Sequence, residues 1–154
     1  MRKLNPCGWV LGALLMGGSA MAAVRPMFPM EPVEMNPIEI GANTVGNAPI
    51  TVRGSSVSGD TLWVRVMHGG GCRQHVYGLT WSGSFMESQP VQAHLQVTHN
   101  ANQDFCRALL YRTLHFDLTP LKEMHREQYG GEHGSVILRI RGSNGIGQFV
   151  PYTF

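Results

Sequence analysis

The most constraining stretch of the chain is residues 90–99, PVQAHLQVTH, where Val91, Ala93, Leu95 and Val97 alternate with Gln92, His94, Gln96 and Thr98. Successive side chains of a strand point to opposite faces, so this order makes one apolar and one polar face. It specifies a strand with its inner side on a core, as antiparallel sheets place them. Residues 61–68 (TLWVRVMH) repeat the pattern, with Leu62, Val64 and Val66 set against Trp63, Arg65 and Met67.

Around these two runs the other elements fall into place. Residues 50–53 (ITVR) predict a short strand ended by the turn-rich GSSVSGD. After Gly69, Gly70 and Gly71 a further run, 73–81 (RQHVYGLTW), predicts a returning strand and so a hairpin. In residues 106–118 (CRALLYRTLHFDL), Ala108, Leu110, Leu114, Phe116 and Leu118 share the parity of Cys106, which places that cysteine toward the core. One helix is expected over 120–129, with Thr119 as cap, Pro120 at its first position, Leu121, Met124 and Gln128 along one stripe, and Gly130-Gly131 as the stop. Strands at 135–141 and 148–154, joined by GSNGIG, close the chain. No strand–helix alternation of a parallel α/β fold is present. The fold class is mainly β: an antiparallel β-sandwich or partly open barrel of six or seven strands with one short helix near residues 120–129.

The first residues read as an address. Arg2 and Lys3 precede a short apolar run (GWVLGALLMGGSA), and Ala20-Met21-Ala22 offers the small-x-small pattern of a cleavage site. That run is glycine-rich and shorter than the roughly 20 apolar residues of a membrane span. No lipobox cysteine stands at the cleavage point, since Cys7 lies upstream of the apolar run. The organisation is therefore 1–22 signal peptide, 23–49 proline-rich extended arm and 50–154 β-sandwich domain. Export implies a periplasmic or secreted protein.

Processing also simplifies charge and cysteine content. The chain has 12 basic and 10 acidic residues, but two of the basic ones leave with the leader, so the mature protein is balanced. Such balance excludes the concentrated basic face that nucleic acid demands. Cys72 and Cys106 remain, and two cysteines in an oxidising compartment pair into a disulfide.

Candidate site residues are few. His68, Cys72 and His75 form an H-x3-C-x2-H around the glycines, a spacing open to zinc or copper, against which stands a turn whose cysteine is already bridged. Met27, Met30 and Met35 in MFPMEPVEM suit thioether binding of Cu(I), although methionine is also an adaptable core filler. His94 and His99 differ in parity and do not make a pair. His115 and Asp117 share a strand face and could orient a general base, yet no serine sits in a nucleophile-elbow context and no paired carboxylates follow glycosidase logic. Charged residues are only 14% of the chain, and Trp63, Tyr77, Trp81, Tyr111 and Tyr129 lie in or beside strands. Some of these aromatics suit a partner-binding patch; Trp63 and Trp81 are expected in the core.

Three stretches, GCRQHVYGLTW, SQPVQAHLQVTH and DFCRALLYRTLHFDLTPLK, resemble small exported bacterial proteins of unknown function, and the span 72–122 is similar to the C-terminal β-sandwich of NigD-like envelope proteins. The resemblance implies a disulfide-linked sandwich in the cell envelope and carries over no catalytic residue. Together these readings point to an exported binding or interaction module, not an enzyme, whose partner is an envelope protein or small ligand. The alternative is a periplasmic copper-binding protein that uses the methionine arm.

Overall fold

The computed structural model describes residues 34–154 apart from Ile146. In chain order the elements are β1 (Ile38–Ile40), β2 (Thr51–Ser58), β3 (Thr61–Gly70), β4 (Val76–Trp81), β5 (Val91–Asn100), β6 (Ala108–Asp117), α1 (Thr119–Tyr129), β7 (Ser135–Arg141) and β8 (Gly147–Thr153). They form a five-stranded sheet, β1-β4-β5-β7-β8, packed on a three-stranded sheet, β2-β3-β6. The mainly β sandwich with one short helix read from the alternation is the fold observed.

The core lies where the alternating rows meet. Leu62, Val64 and Val66 of β3 with Leu114 and Phe116 of β6 face Leu79 and Trp81 of β4, Ala93, Leu95 and Val97 of β5, and Leu138 and Ile140 of β7. Each such side chain, fully buried, stabilises the fold by about 1.5–3 kcal/mol relative to exposure. Leu118 and Leu121 close the core beside the helix. Buried Tyr152 donates to Asp60 Oδ1 (2.7 Å), and Lys122 of the helix donates to the other oxygen of that carboxylate. Hydrogen bonds from Lys122 and Tyr152 hold the Asp60 carboxyl below its ordinary range.

Several expectations are corrected. β3 and β4 do not form a hairpin: β3 pairs along its whole length with β6, from Thr61↔Asp117 to Gly70↔Ala108, while β4 pairs with β5 in the other sheet. The segment after the triple glycine is thus a crossover between sheets. Alternation specifies a strand's faces but not its neighbour, and ten residues of β3 find a partner of equal length in β6. Two pairings are parallel, β1 with β4 and β5 with β7. The latter arises because the chain leaves for β6 and α1 before returning. β1 comes from the proline-rich arm and adds an edge strand. β2 runs on through GSSVS, with a bulge between Val52 and Gly54 absorbing the glycine.

At the helix, Leu118 and not Thr119 is the capping position, and it makes no side-chain cap. Asp117 Oδ1 instead accepts the Thr119 N–H (2.9 Å). Trp63, expected inside, is 39% exposed, because its parity puts it opposite the buried row Leu62, Val64, Val66. Trp81 is buried as expected. Among the described residues no helix is long and apolar enough to cross a membrane.

Cys72 and Cys106 are bonded, across 34 residues of sequence. Cys106 does not face the core, however; it is half-buried and Cys72 is exposed. β6 begins only at Ala108, so the parity counted back to Cys106 does not hold through the preceding loop. The disulfide ties the sheet crossover to the loop before β6, outside the apolar interior. Closing a loop of this length stabilises by about 4 kcal/mol in the chain-entropy model. Replacing both cysteines by alanine should lower the unfolding free energy in denaturant titration by up to that amount with the far-UV circular dichroism retained. Loss of the β spectrum in native buffer would show the bond to be part of the core after all.

Candidate functional site

Three buried rows end in imidazoles at one end of the sandwich. The β3 row Leu62, Val64, Val66 continues to His68; the β5 row Leu95, Val97 continues to His99; and the row Trp81, Leu79, Tyr77 of β4, followed backward, reaches His75 in the crossover. His68 is 3% and His99 1% exposed. The ring centroids lie 4.7 Å (His68 and His75), 4.4 Å (His68 and His99) and 4.9 Å (His75 and His99) apart, the last pair stacked at 15°. Gly70 makes room for this packing: its φ of 139° is open to glycine, and a Cβ there would stand 2.5 Å from His75 Cε1.

Buried polar groups must be hydrogen-bonded, and here each of the six ring nitrogens has a partner. His68 Nδ1 faces the Gly69 carbonyl (2.9 Å) and its Nε2 the Tyr77 hydroxyl (2.7 Å). His99 Nδ1 faces the Pro49 carbonyl (3.2 Å) and its Nε2 meets His75 Nδ1 (2.7 Å). His75 Nε2 reaches Asp104 Oδ2 (3.0 Å). That carboxylate oxygen also accepts the backbone N–H groups of Gly71, Cys72 and Arg73 (2.8, 2.8 and 2.9 Å), while Oδ1 accepts that of Cys106 (2.9 Å). The His75 hydrogen bond and then these backbone donors hold the Asp104 carboxyl far below its ordinary range against the opposing effect of burial. Burial pushes His68 and His99 below the usual histidine range and raises the Tyr77 phenol.

The partners fix a hydrogen count. From Pro49 through His99 and His75 to Asp104 there are three contacts, with a carbonyl at one end and a carboxylate at the other. Each contact between acceptor lone pairs needs one hydrogen, and two neutral imidazoles bring two. With both rings neutral, one of the three contacts therefore lacks a hydrogen, and the shortest, His99 Nε2 to His75 Nδ1 at 2.7 Å, brings two ring nitrogens face to face. Asp104 places a carboxylate against the cluster at its His75 side. A groove of about 520 Å³, lined by Arg73, Gln74, His75, Tyr77 and Arg112 among others, borders the cluster at His75.

Of the residues singled out in sequence, His68 and His75 do come together, but with His99 and not with Cys72, whose sulfur is in the disulfide. His99, Tyr77 and Asp104 were missed as members. The available sign was that His68 and His99 both continue apolar rows inward; Asp104, inside the turn NANQD, carried none. Met27 and Met30 lie outside the described residues, and Met35 is exposed. His115 and Asp117 share a face as read, but His115 packs edge-on against Trp63 (4.3 Å, 81°) and Asp117 serves the helix start.

A second feature lies on the outer face of the three-stranded sheet. Trp63 and Tyr111 are exposed there, flanked by Arg53 and Arg65, with Met67 paired opposite Tyr111. Among the described residues the ion pairs are His75 with Asp104 and Lys122 with Asp60, so neither arginine meets a carboxylate.

No protein-family model and no curated protein matches the chain. Solved structures do. A protein of unknown function DUF1344 from Bacteroides vulgatus is 22% identical, with a TM-score of 0.51 over 79% of this chain and 56% of its own. A putative toxin-related protein from Parabacteroides distasonis is 18% identical, with a TM-score of 0.51 over 78% and 61%. A NigD-like immunity protein from Bacteroides caccae is 15% identical, with a TM-score of 0.52 over 77% and 58%. The chain thus spans less than two thirds of these three neighbours' length. At such identities the likeness is one of fold, and at that level it bears out the similarity to NigD-like proteins.

The lowered histidines have a definite sign. A group that resists protonation when folded contributes stability that is present above its unfolded value of 6.5 and is lost as pH falls below it. In NMR titration of the metal-free protein, His68 and His99 should therefore show midpoints below 6.5, with unfolding free energy decreasing by at most about 1.4 kcal/mol per pH unit for each. Midpoints at or above 6.5 would contradict the packing described.

Proposed function

We propose that this chain is an exported binding module of the cell envelope, which recognises a partner protein with an acidic surface through the outer face of the β2-β3-β6 sheet. The observation that carries the reading is the company kept by Trp63 and Tyr111. The two exposed aromatic rings share this face with Met67, which pairs opposite Tyr111, and with Arg53 and Arg65, which meet no carboxylate among the described residues. Aromatic residues, methionine and arginine are the types enriched at the centre of protein interfaces. Unpaired guanidinium groups favour a partner of opposite charge, through bidentate contacts to its carboxylates.

Export through a cleaved signal peptide at residues 1–22 to the periplasm or beyond fits the bridged Cys72 and Cys106, which an oxidising compartment sustains. A fold neighbour described as an immunity protein fits a binding role. A hydrolytic role for His115 and Asp117 is disfavoured by their engagement with Trp63 and with the helix start.

Affinity capture from native envelope extract should retain a protein on the wild-type chain and lose at least nine tenths of it on a Trp63→Ala, Arg65→Glu chain of unchanged melting temperature, with elution by moderate salt. Equal retention by the two chains would remove the proposed face from the interaction.

A further inference from the structure

We propose that His68, His75 and His99 form a binding site for one divalent transition-metal ion of the kind that prefers imidazole, zinc or copper(II), at the closed end of the sandwich. One ring nitrogen from each lies within 4.8 Å of the others. Three imidazoles with a fourth position left open is a common protein ligand set for such ions.

The outer contacts of the rings carry the argument. A metal-ligating histidine nearly always gives its second N–H to a carboxylate or a backbone carbonyl, which fixes the tautomer and aims the free nitrogen at the ion. All three rings have this arrangement. His75 Nε2 is held by Asp104, His68 Nδ1 by the Gly69 carbonyl and His99 Nδ1 by the Pro49 carbonyl. The nitrogens left over are His75 Nδ1, His99 Nε2 and His68 Nε2. Two of these already face each other at 2.7 Å. The third is met by the Tyr77 hydroxyl at 2.7 Å.

On binding, the ion takes the lone pairs of His75 Nδ1, His99 Nε2 and His68 Nε2, any hydrogen on these nitrogens leaving to solvent and the Tyr77 hydroxyl turning away from His68; no electron transfer is involved. Metal–nitrogen bonds of about 2.0–2.1 Å set neighbouring ligands about 3.3 Å apart in a tetrahedron, so the two nitrogens must part by roughly 0.6 Å. His75 is the ring able to give way, since it belongs to the crossover and to neither adjoining strand. The groove lined by His75 and Tyr77 borders the cluster and is the side from which an ion would approach. The partner-binding face is separate, and neither reading depends on the other.

The test is competition of the full chain, with its disulfide intact, against a chromophoric chelator for Zn²⁺ and for Cu²⁺, with histidine ¹⁵N spectra recorded alongside. One equivalent should bind and shift the ring nitrogens of His68, His75 and His99 while those of His94, His125 and His133 stay in place. Asp104→Asn should weaken binding by on the order of 10–100-fold and His75→Gln by at least as much, whereas His133→Gln and the triple Met27→Leu, Met30→Leu, Met35→Leu chain should bind as before. Failure of the wild-type chain to take a stoichiometric ion, shifts confined to other histidines, or loss of binding in the methionine variant would overturn the proposal. The wild-type spectra decide the matter even if a cluster variant does not fold.

Discussion

The carboxylate of Asp104 is the interaction on which the histidine-bearing end of this sandwich depends. It accepts backbone N–H groups from three successive residues of the crossover, Gly71, Cys72 and Arg73, one from Cys106, and one ring N–H from His75. Those residues connect β3 in one sheet to β4 in the other, across a segment with no strand partner of its own. Without a carboxylate to gather its amides, that exposed segment would turn them to water and have no fixed conformation. The disulfide lies over the same junction and joins the same two loops covalently. One bond restricts the unfolded chain, and the carboxylate specifies the folded conformation.

The histidine cluster follows from that anchoring. Elsewhere the rows of β3, β4 and β5 end their inward positions in Leu, Val or Trp, and apolar area does the stabilising. At this end the inward positions carry imidazoles, which gain less from burial and oblige every nitrogen to find a partner. A fold seeking stability alone would continue the apolar rows. Placing three imidazoles there, each orientated by an acceptor on its far side, gives up some stability for a charge-accepting position, the kind of local departure expected at functional sites. The exposed Trp63 and Tyr111 are a departure of the other kind, with large apolar groups left on a sheet's outer face.

Much of the architecture was legible in sequence because it is a matter of parity. The alternation of residues 90–99 and 61–68 gave β5 and β3 with the correct inner faces, and the Pro120 and Gly130 positions bracketed α1. Which strand lies beside which was not legible, since period alone does not distinguish a hairpin partner from a strand in the opposite sheet. That is why the β3–β4 crossover was misread; Cys106 was placed inward for a different reason, parity counted back past the start of β6 at Ala108. The site was half legible. His68 and His75 stood out by spacing, but spacing suggested Cys72 as the third member, where the fold supplies His99 from a strand 24 residues further on. Asp104 could not be found, because an aspartate in a polar turn looks the same whether it faces water or five donors.

The central claim is that this one carboxylate orders the crossover, and amide hydrogen exchange reads it directly. Gly71, Cys72 and Arg73 are exposed residues outside any strand, so nothing but Asp104 would slow their amides. The account predicts that these three and Cys106 are protected in the wild-type chain and lose that protection together in Asp104→Ala with the β5 core amides still slow. Free exchange of the three amides in the wild-type protein would contradict it.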